Sequence, residues 1–202
     1  MTQRYVYDVL HPDAPIPGHQ VSVALLPTGL GTVRLYNSAR AVFYAPSDLS
    51  GIGGMHQEHI RATRSWHRGA ARYDCVFVGN SESESDEAGF RGLNVARVHC
   101  FFSVEFQGAI FPCALVHWFL HVGNEPDPVS GMWRVRPEFD RDNCPVLAVI
   151  SLDSIFRAAH LIGCSGSTRI PRQGFDHTKA LDSFKTFYVN KYADHHAHEI
   201  AF

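Results

Sequence analysis

One stretch constrains this chain more than any other: Leu93 to Phe119, LNVARVHCFFSVEFQGAIFPCALVHWF. In its first half Val98, Cys100, Phe102, Val104 and Phe106 alternate with Arg97, His99, Ser103 and Glu105, and Phe101 is the one bulky exception. Period-two alternation in a segment rich in β-branched and aromatic residues argues a strand with one buried face. Gln107-Gly108 breaks the pattern where a tight turn needs a positive φ. The more apolar second half, Ile110 to Phe119, then returns as a partner strand. A long central hairpin follows, with a β-sheet built on it.

Shorter candidates extend that sheet: Val21–Leu26, Val33–Tyr36, Ala41–Tyr44, Tyr73–Val78, Met132–Val135, Val146–Leu152 and Leu161–Gly163. Asp153 to Ala159 reads as a helical turn or a bend. Residues 1–32 hold Pro12, Pro15, Pro17 and Pro27 with Gly18, Gly29 and Gly31, a density that suits an extended arm. From Thr178 onward Leu181, Phe184, Tyr188, Tyr192 and His195/His196 recur at three- and four-residue spacing, the pattern of an amphipathic helix. With no alternating strand–helix pattern, the class is mainly β: a rolled sheet or small barrel over residues 33–202, closed by a C-terminal amphipathic helix.

Composition narrows the function classes. A length of 202 residues suits one generous domain. A net charge of −2 gives no global pull towards nucleic acid or an anionic membrane, so a polyanion site has to be a local patch. The odd count of five scattered cysteines favours reduced thiols in an intracellular protein. No run reaches the roughly 18 apolar residues of a membrane span, and MTQRYVYDVL has no signal-peptide pattern.

Two clusters carry candidate chemistry. His56 to Arg72 is the most basic segment, and Arg61, Arg64, Arg68 and Arg72 surround Trp66 against Glu58 alone. Arginine interleaved with an aromatic ring suits contact with a nucleic-acid strand; a solvated edge framing the sheet is the plainer reading. The second cluster is Asp194-His195-His196-Ala197-His198-Glu199. On a helix, His195 shares a face with His198 or Glu199, as two ligands of one zinc ion require. His117 and His121, with Cys113, are candidates to complete such a site. No H-E-x-x-H or finger spacing is present. Ser47–Gly54 lacks the Lys-Ser/Thr ending of a phosphate loop, and SESESDE at 81–87 reads as an acidic, solvent-facing loop.

Three stretches together carry a resemblance: 39–66, 72–119 with its RYDCVFV start, and SLDSIFRAAHLIGCSG with SFKTFYVNKYADHHAHEIAF near the end. In this order they resemble the C-terminal region of proteins encoded by Plavaka-group transposons, CACTA-related DNA elements of mushroom-forming fungi. The resemblance spans roughly residues 33–202. It implies that strand-exchange chemistry lies in a separate ribonuclease-H-like domain, so no catalytic residue is carried over to this chain. A fainter likeness, through Val95-Ala96-Arg97-Val98, Trp118-Phe119 and Leu161–Cys164, is to bromo-adjacent homology domains, which are chromatin-associated. The combined expectation is a nuclear, non-catalytic module that contacts DNA or a chromatin protein, with no cofactor required. A remnant without activity, and a metal-dependent enzyme acting on nucleic acid, follow in that order.

Overall fold

The computed structural model describes residues 1–46, 52–79, 92–166 and 176–201. The acidic run at 81–87 and most of the 47–54 loop lie outside them. The fold is mainly β, and the central hairpin is its longest feature. Strands β6 (Leu93–Phe106) and β7 (Ala109–His121) pair in register from Val95↔Phe119 to Phe106↔Ala109. Gln107 and Gly108 both have positive φ (50° and 80°), the type I′ geometry that matches strand twist.

Both faces of this hairpin are covered, against the expected single buried face. The register shifts by one residue between Val98 and Cys100, which makes His99 the extra residue of a β-bulge. Val98 and Phe101 therefore share one face, together with Ala114 and Val116. Cys100, Phe102, Val104 and Phe106 take the other. Phe101 breaks the alternation because the bulge resets it.

The two halves of the hairpin have different neighbours. Its distal half is flanked by β1 (Val33–Tyr36) on β6 and β9 (Leu147–Ser151) on β7, both members of the same nine-stranded sheet. The proximal half joins β5 (Cys75–Gly79), β8 (Arg134–Pro137), β12 (Thr186–Val189), β10 (Ile155–Ala159) and β11 (Leu161–Cys164). The path runs β10-β5-β6-β7-β8-β12-β11. Its two ends are the halves of one stretch, separated only by His160. This is a rolled sheet whose seam is a bent strand, and β10 and β11 are not paired into a closed barrel. Phe77, Val95, Phe119, Val135, Ala159, Phe187 and Val189 meet inside the roll as one buried cluster. On the outside, β2 (Ser38–Tyr44), β3 (Met55–Thr63) and β4 (Arg72–Tyr73) form a separate three-stranded sheet that helps to cover Val98 and Phe101.

Three sequence expectations are corrected. Residues 1–32 contain a helix, α1 (Thr2–Leu10), and a 3-10 turn at Val23–Leu25 where a strand was expected. Val6 of α1 is fully buried against Phe102, Val104 and Phe106, so the segment packs on the hairpin. The prolines all follow α1 and end it without preventing it. Ile155–Ala159 is a strand, with only Leu152–Ser154 forming a 3-10 turn. The C-terminal helix is broken into α2 (Ala180–Ser183), strand β12 and α3 (His195–Ala201). In Thr186-Phe187-Tyr188-Val189 the buried residues are Phe187 and Val189, two apart, and β propensity prevails over the helical spacing of Phe184 and Tyr188.

Candidate functional site

The basic segment runs along β3 and through an exposed turn that leads into β4, which pairs with β3 at Ala62↔Tyr73 and Thr63↔Arg72. Arg61 lies on β3, Arg72 on β4, and the chain turns between them. The Gly69 N–H donates to the Trp66 carbonyl at 2.8 Å and the Trp66 N–H to the Ala70 carbonyl at 3.0 Å. His67 and Arg68, the two central residues of that turn, both have positive φ (49° and 61°). A turn of this type ordinarily takes Asn-Gly. Left-handed backbone costs a residue with a Cβ roughly 1–2 kcal/mol, so placing His and Arg at the apex is unfavourable locally.

Around the apex the side chains are ordered. The Arg61 guanidinium lies 4.1 Å from the centroid of the Trp66 ring, and that of Arg72 lies 5.7 Å away. Asp74 holds the base of the hairpin, accepting from the Arg61 N–H at 2.9 Å and from Arg72 Nε at 2.8 Å. The structure thus brings together Arg61, Trp66 and Arg72, with the exposed His67 ring edge-on to Trp66 at 4.3 Å between centroids, while Arg64 and Arg68 project into solvent. Of the four arginines, Arg72 shares its charge with a carboxylate; Arg64 and Arg68 have none within salt-bridge distance among the described residues.

The histidine set is dispersed. His195 Nδ1 meets Glu199 Oε1 at 3.0 Å on the exposed face of α3. His198 is exposed on the same short helix. His196 turns inward, its ring stacked on Phe43 with centroids 4.5 Å apart. His121 lies beside Trp133. His117 is buried, with Nε2 at 2.7 Å from the Glu138 carbonyl. Cys113 is buried beside α1, and burial pushes its thiol up to about 11, far from a reactive thiolate. Among the described residues, no three His, Cys, Asp or Glu side chains are grouped so that they could hold a metal ion.

Sequence reasoning missed two constellations. The first joins the C-terminal segment to the sheet. Arg157 on β10 is buried, and its two terminal nitrogens contact both carboxylate oxygens of Asp194 at 2.8 and 2.6 Å. Its Nη2 also reaches Glu58 at 3.5 Å, and Nη1 lies 3.1 Å from His196 Nδ1. Asp194 accepts the Ala197 N–H as well, capping α3. Burial alone would raise the Asp194 carboxyl, but the Arg157 hydrogen bonds and the cap outweigh it and hold it low. Burial, then the Arg157 charge, pushes the His196 imidazole down.

The second constellation is a cleft at the mouth of the roll. The inward rows that carry Leu93 and Val95 on β6, and Phe119 on β7, end in Arg97 and His117 beside the His99 bulge. Lys185 lines the same cleft from the approach to β12, whereas the Leu120↔Arg136 pairing turns the Arg136 side chain to the outer face of the sheet. Its cations come from separated segments, so no local motif announces it.

The chain matches no family model, and no curated protein or solved structure is significantly similar to it. Among the described residues no helix is long and apolar enough to cross a membrane.

Proposed function

We propose that this chain is a DNA-binding module that uses the β3–β4 hairpin as its contact surface. The reading is carried by one observation: an energetically unfavourable turn presents His67 and Arg68 at the apex, beside a tryptophan held by two guanidiniums. Strained backbone in a structure is a pointer to function. Arginine supplies phosphate contacts and can stack, and an aromatic ring offers a platform for an unpaired base. Such a surface attracts and stacks without transferring protons, which suits a binding role. The likeness to Plavaka-group proteins favours DNA over other polyanions and the nucleus as the place of action.

Fluorescence anisotropy of a labelled single-stranded oligonucleotide tests the proposal. Wild type and the Arg64→Ala/Arg68→Ala variant are compared between about 50 and 200 mM salt. Loss of two phosphate contacts should weaken binding and reduce the slope of log K against log salt by about 1.4 for a single strand. Equal affinity and slope in the two proteins would overturn the assignment.

A further inference from the structure

The turn that presents Trp66 is one end of a longer exposed surface, the outer face of β2 and β3. Exposed and partly buried residues alternate along β2 from Ser38 to Tyr44, and β3 keeps the same alternation from Met55 onward. The inward set, which includes Ala39, Ala41, Ile60 and Ala62, packs on the cluster that holds Val98 and Phe101. Antiparallel register then sets the outward side chains next to one another, with Arg40 opposite His59 and Tyr44 opposite Met55. Arg61 comes two residues after His59, between the buried Ile60 and Ala62, so it shares the outer side of β3. Its guanidinium lies 4.1 Å from the Trp66 ring centroid, which makes the turn and the sheet face one continuous surface.

The alternation also sorts charge. Glu58 is the one carboxylate in the two strands, and it belongs to the inner face. It accepts the Ala158 N–H at 2.5 Å and lies 3.5 Å from Arg157 Nη2. Arg40 is left outside, exposed, and has no acidic partner among the described residues. Asp74, at the Trp66 end, is already engaged by Arg72 Nε and by the Arg61 N–H. The outer face therefore carries cationic side chains and complements a chain of phosphates.

Its far end is aromatic and apolar. Tyr44 is 63% exposed, and Val42 and Met55 beside it are exposed as well. The Tyr44 ring is held in place over Gly54, where an added Cβ would come within 2.7 Å of Tyr44 Cε2. From Arg61 to Met55 the face runs about 20 Å, at about 3.3 Å per residue. A polyanion that also meets an aromatic ring at each end has to offer unpaired bases, because a duplex keeps its bases stacked inside. We propose that single-stranded DNA lies along this face from Trp66 to Tyr44, with Arg40 on a phosphate and a base stacked on Tyr44. The inference rests on the hairpin as a DNA contact and extends it to a strand path. At about 3.4 Å per stacked nucleotide, that path takes about six nucleotides.

Fluorescence anisotropy on the full chain tests the proposal, with a labelled oligothymidylate of about nine nucleotides and a duplex of the same length as probes. The single strand should bind about tenfold or more tightly than the duplex. Arg40→Gln should lower the slope of log K against log salt by about 0.7, the contribution of one phosphate on a single strand. Tyr44→Ala should weaken binding about fivefold or more and leave the slope unchanged, since stacking carries no charge. Tyr44→Phe keeps the ring and should bind like wild type. Both positions are exposed, and an unchanged thermal unfolding midpoint would show that the fold is intact. Weakened binding by Arg64→Ala/Arg68→Ala, with wild-type binding by Arg40→Gln and Tyr44→Ala, would overturn this inference and leave the hairpin contact standing. The reverse pattern would overturn the hairpin contact while supporting the sheet face. Duplex bound as tightly as single strand would refute the unpaired ligand, and no binding of either probe would overturn both readings.

Discussion

Replacing Asp194 with Asn removes one charge from the junction between the C-terminal segment and the sheet, and its cost follows from the contacts. Arg157 is 6% exposed and donates to both Asp194 oxygens. Breaking a fully buried pair from one side costs about 3–5 kcal/mol, because the remaining charge is stranded. Two features reduce that figure here. The Asp194 side chain is 37% exposed, so solvent already screens the pair, and Glu58 stays within 3.5 Å of the same guanidinium. About 2 kcal/mol is left. Asn can still accept the Ala197 N–H, so the helix cap survives; Asp194→Ala loses it too and should cost about 1 kcal/mol more. Urea unfolding followed by Trp fluorescence measures both. With a slope near 2 kcal/mol/M, the Asn variant should unfold at about 1 M less urea, and the Ala variant about 0.5 M lower again. A shift under about 0.25 M for Asp194→Asn would refute the claim that Arg157 depends on this carboxylate, and equal shifts would refute the capping role.

Two further outcomes can be checked on the same instrument. His99, His121 and His196 have folded pKa values pushed down, chiefly by burial, so the unfolded state takes up protons first as pH falls. Their contribution is complete above the unfolded value of about 6.5 and is lost as pH falls through the lowered folded values; the urea midpoint should drop between pH 7.5 and 5, and a flat or rising midpoint would contradict this. Arg68→Gly should stabilise the protein by up to about 1 kcal/mol by relieving the left-handed residue, while weakening DNA binding; no gain in stability would remove strain from the case for the hairpin.

The sequence displayed the central hairpin well because alternation, β-branched content and Gln107-Gly108 all favour the same structure. Its bulge left only a trace, the misplaced Phe101, since one inserted residue at His99 reverses the facing of everything beyond it. The C-terminal stretch misled because Leu181, Phe184 and Tyr188 fit a helical spacing, whereas Phe187 and Val189 fill the roll. Of the basic segment, composition gave the residues but not their division into a supported ring and exposed apex. The histidine run looked like one cluster because it is contiguous, yet His195 lies exposed beside Glu199 while His196 stacks on Phe43. Arg157 was invisible as a site: its partners, Glu58 and Asp194, lie far away in the chain, and only the folded sheet brings them together.

The central claim is that DNA meets this protein at the β3–β4 hairpin. The most direct measurement is a ¹⁵N–¹H correlation spectrum recorded while a single-stranded oligonucleotide lacking a terminal phosphate is added. The largest shifts should fall on the Trp66 indole and the amides of Arg64, His67, Arg68 and Gly69. A spectrum that does not change, or changes only at residues remote from this hairpin, would contradict the account.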